Sequence, residues 1–198
     1  MAVSVLAALA PSQAFAAPQA PPCTKKNVAY LDAQDRQEDA EAKVTVAEKA
    51  LDQARADRAK LDKAAGFGDQ LVAYMQRSDS SKVRNAVYSV HGGAYELHNA
   101  ASKHDPVATA DAAVKLADAT DKALTDAGVK DTPEGRNMRA GTTKLRTLAE
   151  DARKATEAPN VETRQSELDT ARSELTDAAK TVRPARDAYR DCLDKLVN

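Results

Sequence analysis

The chain has 198 residues, enough for one domain, and its charges nearly cancel: 29 Lys and Arg against 30 Asp and Glu, for a net charge of −1. Positive and negative residues alternate along the sequence and form no basic stripe, which excludes a nucleic-acid footprint and an anionic-membrane anchor. Hydrophobic residues make up 42%, much of it alanine, while aromatics are 4% and Trp is absent, so a helical protein with a thin core is expected.

Residues 1–16 carry no charge and have an apolar centre from Val3 to Ala10. Ala14-Phe15-Ala16 then places small residues where a signal peptidase would cut. A basic n-region is missing. We expect a signal peptide over 1–16, a Pro/Ala spacer over 17–22, and a mature all-α domain over 23–198 located outside the cell or in its envelope. The apolar run is too short to span a bilayer, and no second one follows, so no stable membrane span is expected. Pro21-Pro22 ahead of Cys23 lacks the residues that precede a lipidated cysteine.

Thr24 to about Ala65 reads as one long helix without Gly or Pro. Its seam repeats by seven through Cys23, Tyr30, Gln37, Val44, Leu51, Arg58 and Ala65, with Ala33, Ala40, Ala47, Ala54 and Leu61 between. Gly66-Phe67-Gly68 is read as its end. A short helix over Asp69–Arg77 is expected next, then one capped by Ser78 or Asp79 and running to about His104. Asp105-Pro106 and Thr132-Pro133 each pair an N-cap with Pro at the first helical position. They open helices to about Ala127, stopped by Gly128, and to about Ala158. From Asn160 a last helix repeats large residues at Val161, Leu168, Leu175, Val182, Tyr189 and Leu196, with Arg164, Ala171, Ala178, Ala185 and Cys192 between. Pro184 falls on its outer side.

The two long helices suit each other as an antiparallel pair. With Cys23 facing Cys192, Tyr30 meets Ala185, Ala40 meets Leu175 and Ala47 meets Leu168, so large residues oppose alanines. A slip of one heptad would preserve much of this pattern, and the cysteines select the register. Two cysteines in an exported chain predict one disulfide, Cys23–Cys192. The expected fold is all-α: a long antiparallel coiled-coil hairpin, 23–65 with 160–198, and an inserted helical bundle, 67–158. The middle helices either form a separate head or fold back along the hairpin. The seam is used inside the chain, so a monomer is expected.

No catalytic motif is present: neither G-x-S-x-G nor H-E-x-x-H nor a phosphate-binding glycine loop. Acidic residues sit near basic ones at helical spacing, as Asp57 does with Lys60, and read as a solvated face. The chain is not expected to be an enzyme. One stretch draws a ligand hypothesis. On a continuous helix, Tyr88, His91, Tyr95 and His98 form one stripe, and Tyr and His are ligands for haem or a transition metal. His91 and His98 are two turns apart, roughly 10 Å, too far to share one ion. The plainer account of the stripe is a core edge with its polar tips in water. His104 is read as a residue at a helix C-terminus. Three functions follow in order: an exported scaffold or binding module with an unidentified protein partner at Phe67, Tyr74 and Met75; a haem or metal carrier; and, weakest, a membrane-active toxin.

Overall fold

The computed structural model describes residues 21–197; the expected signal peptide and residues 17–20 of the spacer lie outside them. The fold is all-α, a hairpin of two long helices with a helical bundle. The elements are α1 (Thr24–Gln76), α2 (Ser81–Ala86), a 3-10 turn (Val87–Ser89), α3 (His91–Ser102), α4 (Pro106–Asp126), α5 (Pro133–Arg153), a second 3-10 turn (Ala158–Asn160) and α6 (Val161–Val197). Two compact units divide the chain: one holds the residues up to Glu38 and those from Asp177, the other Asp39–Thr176.

In the first unit the two helix ends are joined by the Cys23–Cys192 disulfide, with Cα atoms 5.8 Å apart. Burial here is sparse. Ala33 is buried, while Tyr30, Gln37, Val182, Ala185 and Tyr189 are half-buried at the seam positions expected of them. Tyr30 stacks on Tyr189 with ring centroids 6.3 Å apart. The expected neighbour was Ala185, one turn away. Helical side chains lean toward their own N-terminus, so two long rings on antiparallel helices converge from different levels. Pro184 lies on the exposed side and does not end α6.

The second unit contains the core. Within it α1 and α6 again run antiparallel: Arg55 bonds Gln165, and seven residues back on α1, Glu48 pairs with Arg172, seven residues on along α6. Leu51, Ala54, Leu168 and Ala171 are buried along this seam, as the heptads require. The main hydrophobic cluster assembles Leu61, Leu71 and Met75 of α1 with Val83, Leu97, Leu116, Leu124, Met138 and Leu145 of α2 to α5. Each such side chain contributes roughly 1.5–3 kcal/mol by its removal from water.

Two expected start signals are found in place. Asp105 accepts a hydrogen bond from the Ala108 N–H at 2.9 Å, and Thr132 Oγ1 accepts one from the Gly135 N–H at 3.1 Å. Gly128, at φ +66°, closes α4 in the left-handed conformation that glycine tolerates.

Four boundaries differ from expectation. α1 does not stop at Gly66 but continues to Gln76 and absorbs the expected short helix over Asp69–Arg77. Gly68 is a packing site: a Cβ there would stand 2.7 Å from Leu97 Cδ2 and 3.0 Å from Leu116 Cδ2. The helix expected from Ser78 or Asp79 to His104 is capped by Ser80 and broken at residues 87–90. Finally, α5 ends at Arg153 rather than near Ala158, and His104 lies past the end of α3 at φ +56°.

The two glycines therefore predict opposite mutational effects. Gly68→Ala should destabilise by about 1–3 kcal/mol through overpacking against Leu97 and Leu116. Gly66→Ala, with nothing within 4 Å of its Cβ, should stabilise by about 0.5–1 kcal/mol through helix propensity. Urea unfolding of the two variants side by side reads the contrast.

Candidate functional site

The Tyr/His stripe is split by the break at residues 87–90. Tyr88 lies on the 3-10 turn, whereas His91, Tyr95 and His98 lie on α3. Two cavities result, and His91 borders both. The first, about 770 Å³, is lined by Tyr88 and His91 with Gln76, Arg84 and Asn85. The second, about 370 Å³, brings His91, Tyr95 and His98 to the face of α1 that carries Asp69, Val72 and Gln76. His98 Nδ1 is 3.8 Å from Asp69 Oδ2. The helix end expected at Gly66-Phe67-Gly68 separates Asp69 from the long helix, and only the continuation of α1 to Gln76 brings it to His98.

The stripe's tyrosines are largely in solvent, Tyr88 at 88% and Tyr95 at 71% exposure. Val83, Val87, Val90, Ala94 and Leu97 beside them are buried. Among the described residues, no three His, Cys, Asp or Glu side chains gather closely enough to hold a metal ion.

The candidate partner surface is also rearranged. Met75 is fully buried and cannot contact a partner, because α1 continues as helix and turns this residue into the bundle core. Tyr74, one residue before it, is 50% exposed. Phe67 is half-buried, with Lys144 Nζ 4.7 Å above its ring. Phe67 and Tyr74 line a cavity of about 390 Å³ between α1 and α5, floored by Leu71, Met138 and Gly141.

A polar cluster escaped the sequence altogether. Asp57 was read as part of a solvated face, yet it is only 2% exposed. Its carboxylate accepts from Gln53 Nε2 at 2.9 Å, Lys60 Nζ at 2.7 Å and the Glu157 N–H at 3.2 Å. Next to it, Arg58 makes a bidentate pair with Glu162 at 2.7 and 2.8 Å and donates to the Ala158 carbonyl. Arg164 reaches back to Glu157, which Asn160 also bonds. Together these bonds fasten the α5–α6 turn to α1. The signal that could have revealed Asp57 is its place one turn before Leu61 and three residues after Ala54, both seam residues.

The cluster moves carboxylate pKa values in one direction. Burial pushes Asp57 up, but the Lys60 ammonium, the Glu157 N–H and Gln53 outweigh it, and the net shift is downward. Glu162 is held down to about 2, first by its hydrogen bonds from Arg58, with its own backbone N–H and the nearby His104 adding to the effect.

In comparison with known proteins, the chain matches no family model, no curated protein and no solved structure.

Both lowered carboxylates make the fold acid-sensitive. A carboxylate whose folded pKa lies below its unfolded value adds stability that is present above the unfolded value. That stability is lost as pH falls through the folded one. The urea midpoint should therefore hold above pH ~4.5 and decline from there toward pH 2, where Glu162 titrates. Asp57→Asn should cost roughly 1–3 kcal/mol at pH 7, since it weakens the bonds that satisfy a buried side chain. Its deficit should shrink as the pH falls and the native carboxylate takes up its proton.

Proposed function

We propose that this protein is an exported, non-enzymatic helical module that works as a scaffold or protein-binding unit in the cell envelope or outside the cell. The observation that carries this reading is the Cys23–Cys192 disulfide, which closes the chain across 169 residues. Such bonds persist in oxidising compartments and are reduced in the cytosol. In the chain-entropy account, a loop of this length stabilises by up to ~5 kcal/mol. The uncharged segment at residues 1–16 points the same way. Among the described residues, no helix is long and apolar enough to cross a membrane. An interaction role fits a fold whose surface is densely charged in both signs and whose exposed aromatic side chains include Tyr74.

Mass spectrometry of the protein from the extracytoplasmic fraction is the test. The expected mass is that of a chain starting at Ala17 and lacking two hydrogens. A full-length chain in the cytosol with both thiols free would overturn the reading.

A second reading, a haem carrier, is favoured by the meeting of His91, Tyr95 and His98 at one cavity. Haemin titration should then give a Soret shift that disappears in the double variant His91→Ala, His98→Ala. An unchanged spectrum of free haemin rejects it.

A further inference from the structure

We propose that the α1–α5 groove is a docking site for an acidic peptide segment bearing one bulky apolar anchor residue, an assignment that rests on the protein-binding reading above. The groove has an apolar floor. Phe67, Tyr74 and Met138 line it, and its volume of about 390 Å³ is suited to one or two side chains. Close helix packing shapes that floor: a Cβ at Gly141 would stand 2.9 Å from Leu71 Cδ1, so α5 approaches α1 through a residue without a side chain. Glycine at this position leaves the space above Leu71 open between the two aromatic rings.

The rim is basic. Lys63 lies one turn before Phe67 on α1, and Arg77, the first residue past the end of that helix, follows Tyr74 by three residues. From α5, Lys144 covers the Phe67 ring. Among the described residues, none of these three cations has an ion-pair partner, whereas Lys43, Arg58, Arg146 and Arg153 at the α1–α6 and α4–α5 contacts do. Glu134, in the first turn of α5, accepts a hydrogen bond from Ser78 Oγ at 3.2 Å. Three free cations around an apolar cleft complement an apolar side chain flanked by carboxylates. The anchor would bury against Phe67 and Tyr74, and the flanking Asp or Glu residues would fix its direction. The Lys144 ammonium over the Phe67 ring is poised to exchange its aromatic contact for a peptide carboxylate.

The test selects from a random displayed-peptide library on the intact, disulfide-bonded protein, then measures the synthesised peptides by fluorescence anisotropy. The expected outcome is enrichment of sequences with an aromatic or large aliphatic residue beside Asp or Glu. Their affinity should fall about tenfold or more with Tyr74→Ala and with Lys144→Glu, as for loss of a central anchor. Salt should weaken binding. Tyr74 is half-exposed, so its truncation leaves the core intact, and circular dichroism of both variants checks their folding. Failure to enrich any peptide overturns the assignment. So does enrichment of neutral or basic peptides, or binding that survives both substitutions in folded protein. None of these results touches the export reading, which stands or falls on the mass of the isolated protein.

Discussion

The second unit depends on the close approach of three helices around Leu116. This side chain is fully buried on α4. On one side it meets Gly68 of α1, and on the other Gly93 of α3, whose Cβ would stand 3.4 Å from Leu116 Cδ1. A leucine seated between two glycines lets the helices come nearer than side chains normally allow, and the gap is filled by one branched residue. That arrangement lets a chain poor in aromatics reach full burial at Leu97, Leu124 and Leu145. Around it, polar bonds hold the helices in register. Thr142 donates to Asp121, Arg146 bridges Asp118 and Asp121, and Arg153 pairs with Asp111, all between α4 and α5.

The same glycines explain where sequence reasoning worked and where it failed. Heptads are legible because every turn repeats the test: from Val161 to Cys192, each seam position of α6 is buried or half-buried, and only Leu196, in the last turn beyond the disulfide, is exposed. N-caps followed by proline at Asp105 and Thr132 are legible because the signal is local. A glycine pair inside a helical pattern is ambiguous. Gly66 and Gly68 could end a helix or admit a neighbour, and only the position of Leu97 and Leu116, distant in sequence, decides it. With α1 cut short on paper, Asp69 could not be placed against His98, and Met75 looked like surface when it is core. Asp57 was misplaced for a related reason. A carboxylate with a lysine three residues on resembles a solvated pair, and the Glu157 N–H that makes it structural comes from 100 residues away.

The two units differ in what stabilises them. One has a leucine-rich cluster with polar stitching; the other has an alanine, half-buried seam residues, a tyrosine stack and a disulfide. The balance follows from composition. Alanine buries little area, so where a helix pair has no third layer over it, removal of apolar surface from water cannot by itself offset the ordering of two backbones. A covalent tie there acts mainly on the unfolded chain, by limiting the conformations it can explore.

That tie has a mechanical side. Cys23 and Cys192 flank nearly all of the folded residues, with their Cα atoms 5.8 Å apart. A pull applied between the segments that precede Cys23 and follow Cys192 is carried through the sulfur–sulfur bond and bypasses the 169-residue loop. Tension between those two points cannot unravel α1, the part of α6 before Cys192, or the helices between them while the bond is intact. The protein would behave under such a load as a short, nearly inextensible link, and reduction would convert it into a tether long enough to unfold.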